Sequence, residues 1–247
     1  MRCFMLKKLY DKSSIWFAVA WIIAYCVLMS VGDSLSATVG IEKSVTLAVG
    51  ILLSLALITF LRKHNLFAVY GLCPSRASAR SMLYYAPVFL MLTTNLWYGV
   101  TANYGALETV LYMLSMLCVG FLEEVIFRGL LFNAMRKDNL KTAVIVSSIT
   151  FGIGHIVNLF NGSGVELLPN LLQVVYATAA GFMFVMIYLK TDSLLGCIVA
   201  HGLFNAIGVF ANEPTMGTRI ASCLVLTVIT GGYAVYLAWS MKGRTHD

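Results

Sequence analysis

Residues 44 to 61 read S-V-T-L-A-V-G-I-L-L-S-L-A-L-I-T-F-L, with Lys43 before them and Arg62-Lys63 after. Eighteen positions without a charge, closed by cations at both ends, are close to the ~20 apolar residues that one helix needs to cross a bilayer core. The pattern recurs along the chain, with spans near 14 to 31, 44 to 61, 81 to 100, 107 to 135, 141 to 158, 168 to 190, 193 to 211 and 218 to 241. In hydrocarbon only helices or closed barrels satisfy the backbone, and these runs are too long and too evenly apolar for barrel strands. The expectation is an all-α membrane protein, a polytopic bundle of about eight transmembrane helices forming one domain over residues 1 to 247.

Composition agrees. A chain that is 60% hydrophobic and 11% charged, with mean hydropathy +0.84, has too little polar surface to cover a water-soluble globule. The net charge of +6 is no nucleic-acid footprint, because the Lys and Arg lie between apolar runs and are not interleaved with aromatics. Their distribution reports topology instead. With a cytoplasmic N-terminus, one set of loops and ends collects Arg2, Lys7, Lys8, Lys12, Arg62, Lys63, Arg76, Arg80, Arg136, Lys137, Lys141, Lys190, Lys242 and Arg244. The opposite loops hold Lys43 and Arg219, and Arg128 lies inside a span. Both termini are therefore expected in the cytoplasm, in a multi-pass protein of the plasma membrane. The first run also has the outline of a secretory signal, with Ser34 to Ala37 as a weak cleavage-like site, but seven further spans favour an uncleaved helix. The six cysteines are scattered, without a C-x-x-C pair, and read as small core residues.

Polar residues inside the spans are the functional signal. The fourth span contains F-L-E-E-V-I-F-R at 121 to 128, although an ionisable group at mid-bilayer costs about 2.5 to 3.5 kcal/mol on insertion scales. Glu124 and Arg128, four apart, share a helix face and can pair. Glu123 points about 100° away and has no local partner. The fifth span contributes F-G-I-G-H at 151 to 155 and the seventh H-G-L-F-N at 201 to 205. At about 1.5 Å of rise per residue, Glu123, His155, His201 and Asn205 lie roughly 18, 21, 12 and 18 Å from the cytoplasmic ends of their spans. All four fall near mid-membrane and can meet. Gly152, Gly154 and Gly202 flank the histidines, where small residues let helices approach.

A carboxylate beside an imidazole can activate water, and a second imidazole with an amide at i, i+4 can stabilise an oxyanion, a combination suited to amide hydrolysis. No Ser, Cys or Thr is spaced as a nucleophile, since Gly162-Ser163-Gly164 lies in a short loop without the G-x-S-x-G turn. There is no H-E-x-x-H helix either. Glu123, His155 and His201 could still hold Zn²⁺ as a His₂Glu set. The rival reading of the same residues is a transporter or channel, which would place them in pseudo-repeated halves with broken helices.

The three blocks E-E-V-I-F-R, F-G-I-G-H and H-G-L-F-N closely resemble those of the CAAX-protease and bacteriocin-processing (CPBP, or Abi) membrane peptidases, which include the type II CAAX prenyl endopeptidases. Weaker echoes are Gly71-Leu72 and Thr191-Asp192-Ser193-Leu194, and the core of the resemblance is about 107 to 211. It implies an eight-helix bundle with a polar mid-membrane cavity. There, Glu123 with His155 would activate water, His201 and Asn205 would stabilise the oxyanion, and Glu124 and Arg128 would orient the site. Metal dependence in the family is read both ways, and the metal-free form is favoured here, with Zn²⁺ on Glu123, His155 and His201 as the other. The implied partner is a membrane-associated peptide or protein substrate, in bacterial peptide or bacteriocin maturation or self-immunity, with no nucleic acid. A non-catalytic immunity or scaffold member would use the same cavity without cleavage.

Overall fold

A computed structural model describes residues 2–78, 85–161 and 164–242, with the side chains of residues 2–5 and 242 left aside. Arg80, the start of the third expected span at 81 to 84, Gly162-Ser163 and Arg244 lie outside the described residues. Nine helices make up the described fold: α1 (Arg2–Lys12), α2 (Ser14–Val39), α3 (Ser44–Lys63), α4 (Ala86–Leu96), α5 (Ala106–Met135), α6 (Leu140–Leu159), α7 (Leu167–Thr191), α8 (Leu195–Phe210) and α9 (Met216–Lys242). The last turns of α4, α6 and α8 tighten to 3₁₀ geometry. The chain is an all-α membrane bundle.

Six of these helices, α2, α3, α5, α6, α7 and α9, are long and apolar enough to cross a bilayer. The third and seventh expected spans correspond to the shorter α4 and α8. Residues 97 to 100, expected to complete the third span, instead leave α4 as a turn. Hydropathy does not detect the cause, which is backbone pairing between loops. Thr101 N–H donates to Phe210 O at 2.9 Å, and Val100 pairs with Ala211. The Asn95 amide also donates to Phe204 O at 2.7 Å, so α4 is fastened to α8.

The first spanning helix runs eight residues past its expected end at 31. Asp33 does not stop it, because its carboxylate accepts from Lys43 Nζ and Thr46 Oγ1, each at 2.7 Å. At its start the Ser13 side chain caps Trp16 N–H, and at its end Gly40 adopts φ +75°. In the same way, the Asn139 side chain accepts from Thr142 N–H to open α6.

Alternating helix directions put loops 64–78, 136–139 and 192–194 on one face with both terminal helix ends, here the terminal face. The 40–43, 97–105 and 211–215 loops and the described parts of 160–166 form the opposite face. Helix packing uses small residues as lipid-embedded interfaces do. A Cβ on Gly120 would sit 2.5 Å from Gly202 N, so α5 and α8 touch backbone to backbone. A Cβ on Gly152 would lie 2.9 Å from Thr178 Cα and overlap its hydroxyl, which seats α6 on α7. Gly154 makes no such approach, with Phe127 Cζ at 4.0 Å as its nearest neighbour. Cys26, Cys73, Cys118, Cys197 and Cys223 are free thiols.

Candidate active site

The contact between Gly120 and Gly202 decides the site, because Glu123-Glu124 stand one turn further along α5 and His201 is the neighbour of Gly202 on α8. Past Glu123, α5 widens into a π-helical stretch, Glu124–Phe132, every residue of which is buried. Such turns are rare and concentrate at functional sites. Its loosened carbonyls are covered by Asn133, whose side-chain amide donates to Arg128 O at 3.1 Å and Gly129 O at 2.7 Å. The same nitrogen reaches the Tyr188 hydroxyl at 2.9 Å, tying the stretch to α7.

Glu124 and Arg128 pair as their spacing predicts, Arg128 Nη1 donating to Glu124 Oε1 at 3.0 Å with both side chains fully buried. The guanidinium lies 4.0 Å from the centroid of Phe151, a cation–π contact that partly replaces lost solvation. Glu124 Oε1 also accepts from His201 Nδ1 at 2.8 Å. On the other side of that ring, His201 Nε2 lies 3.4 Å from Glu123 Oε2. The imidazole is thus held between the two carboxylates, with Phe184 stacked on one face at 5.7 Å and Phe151 edge-on at 5.6 Å.

Glu123 does find a partner, from a helix that carries none of the three blocks. Tyr25 Oη, on α2, donates to Glu123 Oε1 at 2.7 Å in a buried contact. Sequence reading missed Tyr25. The available signal was weak: a tyrosine in an apolar run brings a hydroxyl that needs a partner once buried. Phe184 was missed as well, being one apolar residue among many on α7.

Glu123, His155 and Asn205 line one cavity of about 560 Å³. His155 is placed by the end of α6, where its backbone carbonyl accepts from Asn170 at 2.8 Å and its ring meets Phe151 edge-on. His201 stands behind Glu123. It lines a smaller void of about 40 Å³ together with His155 and Asn205. The six residues singled out from sequence therefore gather in one neighbourhood, but in two layers: Glu123, His155 and Asn205 face the large cavity, and His201, Glu124 and Arg128 back it. Among the described residues no three His, Cys, Asp or Glu side chains converge as a metal cage. Of the conditional Zn²⁺ set, His201 turns Nε2 to Glu123 and Nδ1 to Glu124, and His155 shares the large cavity with Glu123.

Residues 105–207 match the family model for type II CAAX prenyl endopeptidase Rce1-like proteins. Over these residues the chain is similar to that family. The segment starts at the residue before α5 and ends within α8, so it holds all six candidate residues and leaves out Tyr25. The resemblance carried by the three blocks is borne out here. A curated relative, named "Putative membrane peptidase YdiL", from Bacillus subtilis (strain 168), is 31% identical over 113 residues. That match covers 45% of this chain and 41% of the relative, so the chain spans about two fifths of the length of the relative it matches. No solved structure matches.

Proposed function

We propose that this chain is an intramembrane peptidase that hydrolyses a peptide bond of a membrane-associated peptide or protein, with Glu123 as general base. The observation that supports this best is the placement of Glu123. Its carboxylate stands in the wall of a polar mid-bundle cavity, one oxygen fixed by Tyr25 and the other turned to His201.

In this reading Glu123 takes a proton from a cavity water, and the hydroxide attacks the scissile carbonyl carbon. The tetrahedral oxyanion accepts hydrogen bonds from Asn205 and His155, two polar side chains that share the cavity with Glu123. As the C–N bond breaks, the proton held on Glu123 passes to the leaving amine. His201 donates Nδ1–H to Glu124, which fixes its tautomer and turns Nε2 to Glu123, where it can share the proton. This differs from the family-implied roles at one point: His201 supports the base from behind, and His155 faces the substrate. Arg128 pairs with Glu124 and so holds it in place as the acceptor for His201.

Charge placement supports cytoplasmic termini in the cell membrane, because Lys and Arg crowd the terminal face. A role in bacterial peptide or bacteriocin maturation or self-immunity follows from the CPBP resemblance.

The test compares new peptide termini, by mass spectrometry of membrane and secreted fractions, between cells making the wild type or Glu123→Gln at matched abundance. Termini formed only with the wild type are the expected result. Coincident profiles would sink the peptidase reading and favour a binding or immunity protein. A chelator arm on the same comparison separates the metal-free reaction, which survives it, from a Zn²⁺-dependent one.

A further inference from the structure

The cavity at Glu123 is asymmetric across the bundle. From Glu123 and His155 its wall continues through Ser30 and Asp33 on α2 to Lys43, and on to Glu213. Lys43 and Glu213 belong to loops of the face opposite the termini, and the Glu213 side chain is 91% exposed. One cavity thus reaches from that face to the carboxylate with these polar groups in its wall.

The terminal face is sealed beneath the same site. Leu194 and Phe132 are fully buried there, and Tyr188, Thr191 and Ser193 are nearly so. The 71–76 segment is strapped over them by backbone and side-chain bonds: Leu194 N–H to Gly71 O at 2.8 Å, Arg76 N–H to Thr191 O at 3.0 Å and Ser193 Oγ to Cys73 O at 2.6 Å. Gly71 adopts φ +73°, and a Cβ there would lie 2.5 Å from the Tyr188 ring, so the strap is in backbone contact with the seal.

We infer that the site takes its water and its substrate from the non-cytoplasmic face, and that the substrate is a segment of peptide exposed on that face. This rests on the peptidase reading and on the cytoplasmic placement of the termini. The wall of the path suits a main chain. Asn158, Asn161 and Gln173 form a row of carboxamides, Asn161 Nδ2 donating to Asn158 Oδ1 at 3.3 Å and Asn158 Nδ2 to Gln173 Oε1 at 3.1 Å. Carboxamides offer both donors and acceptors, as a peptide backbone requires. A lipidated cytoplasmic C-terminus, by contrast, would meet the sealed face.

Native thiols report the two faces. Cys26 lies one turn below Ser30 in the cavity wall, and Cys73 lies in the strap on the terminal face; both are half-buried. The intact protein, in right-side-out and in inverted vesicles, is treated with a charged, membrane-impermeant methanethiosulfonate, and the modified cysteine is located by peptide mass spectrometry. Cys26 is expected to react in right-side-out vesicles and Cys73 in inverted ones. A Ser30→Cys variant, nearer the mouth, repeats the test where reagent size limits access to Cys26. The reverse pattern, or silence of both cavity thiols from outside, overturns the inference.

The wild-type-specific termini of the Glu123→Gln comparison locate the substrate, and they are expected in non-cytoplasmic segments. Cuts in cytoplasmic segments overturn the inference and leave the peptidase standing. Coincident termini with Cys26 labelled from outside overturn the substrate half along with the peptidase reading, and the labelling shows that the fault lies there.

Discussion

Tyr25 contributes one buried hydrogen bond to the proposed base, and hydrogen bonds to charged groups are worth about 1.5 to 3 kcal/mol. Tyr25→Phe keeps the ring and removes the bond. With a peptide taken from the mapped cut sites, kcat is expected to fall by roughly tenfold or more at nearly unchanged KM. An unchanged kcat would mean that the ring only fills space. Arg128 and Glu124 make a different case, because both are fully buried. Arg128→Met leaves a lone carboxylate in the bundle, a loss of about 3 to 5 kcal/mol, visible as a lower melting temperature in detergent. Adding Glu124→Leu removes the orphaned charge and is expected to restore most of that stability. Activity should not return, since His201 then has no acceptor for Nδ1–H. A double variant as active as the wild type would reduce the pair to helix glue. These residues were legible in sequence because charge in an apolar run is costly and stands out. Tyr25 was not, because a tyrosine in a membrane helix needs no special explanation until its partner is known.

At the scale of elements, the site depends on how closely α5 and α8 approach. Gly120→Ala would drive a methyl to 2.5 Å from the Gly202 backbone, which cannot yield as a side-chain tip can. Overpacking of this kind costs about 1 to 3 kcal/mol, and the helices must separate, lengthening the 2.8 Å contact between Glu124 and His201. Loss of activity greater than loss of stability is the expected signature. Gly154→Ala is the matched control, since its nearest neighbour is 4.0 Å away, and it should leave both properties near wild type. Equal effects of the two substitutions on activity would show that helix separation at Gly120 is not what positions His201. Sequence suggested close packing at Gly152, Gly154 and Gly202 alike. Spacing alone cannot tell a glycine that faces a helix from one that faces a gap. Hydropathy likewise located the apolar helices but could not see α4 stop at Leu96, because loop-to-loop backbone bonds end it. Nor could it see the π-helical stretch, since Glu124 and Arg128 pair across four residues whether or not the turn widens.

For the whole molecule, the decisive property is the sign of charge on the two faces. The terminal face carries Lys12, Arg62, Lys63, Arg136, Lys137 and Lys190, whereas Lys43 and Arg219 on the other are paired with Asp33 and Glu213. Cations near membrane ends resist translocation, so the terminal face, which carries more of them, should stay in the cytoplasm. A fluorescent reporter at the C-terminus is expected to mature, and alkaline phosphatase at the same position to remain inactive. Phosphatase inserted after Asn103, in the loop between α4 and α5, should be active. The opposite set of results would invert the bundle and turn the mouth of the cavity to the cytoplasm, where cytoplasmic tails would become the substrates to test. The strength of the charge bias also sets how the topology should fail. Replacing Arg62, Lys63, Arg136 and Lys137 together by glutamine removes four of the cations at two of the loops without touching the site. A mixed population of orientations is then expected, read as phosphatase activity appearing at the C-terminus. No change would mean that helix packing around the glycine contacts, and not loop charge, fixes which way the peptidase faces.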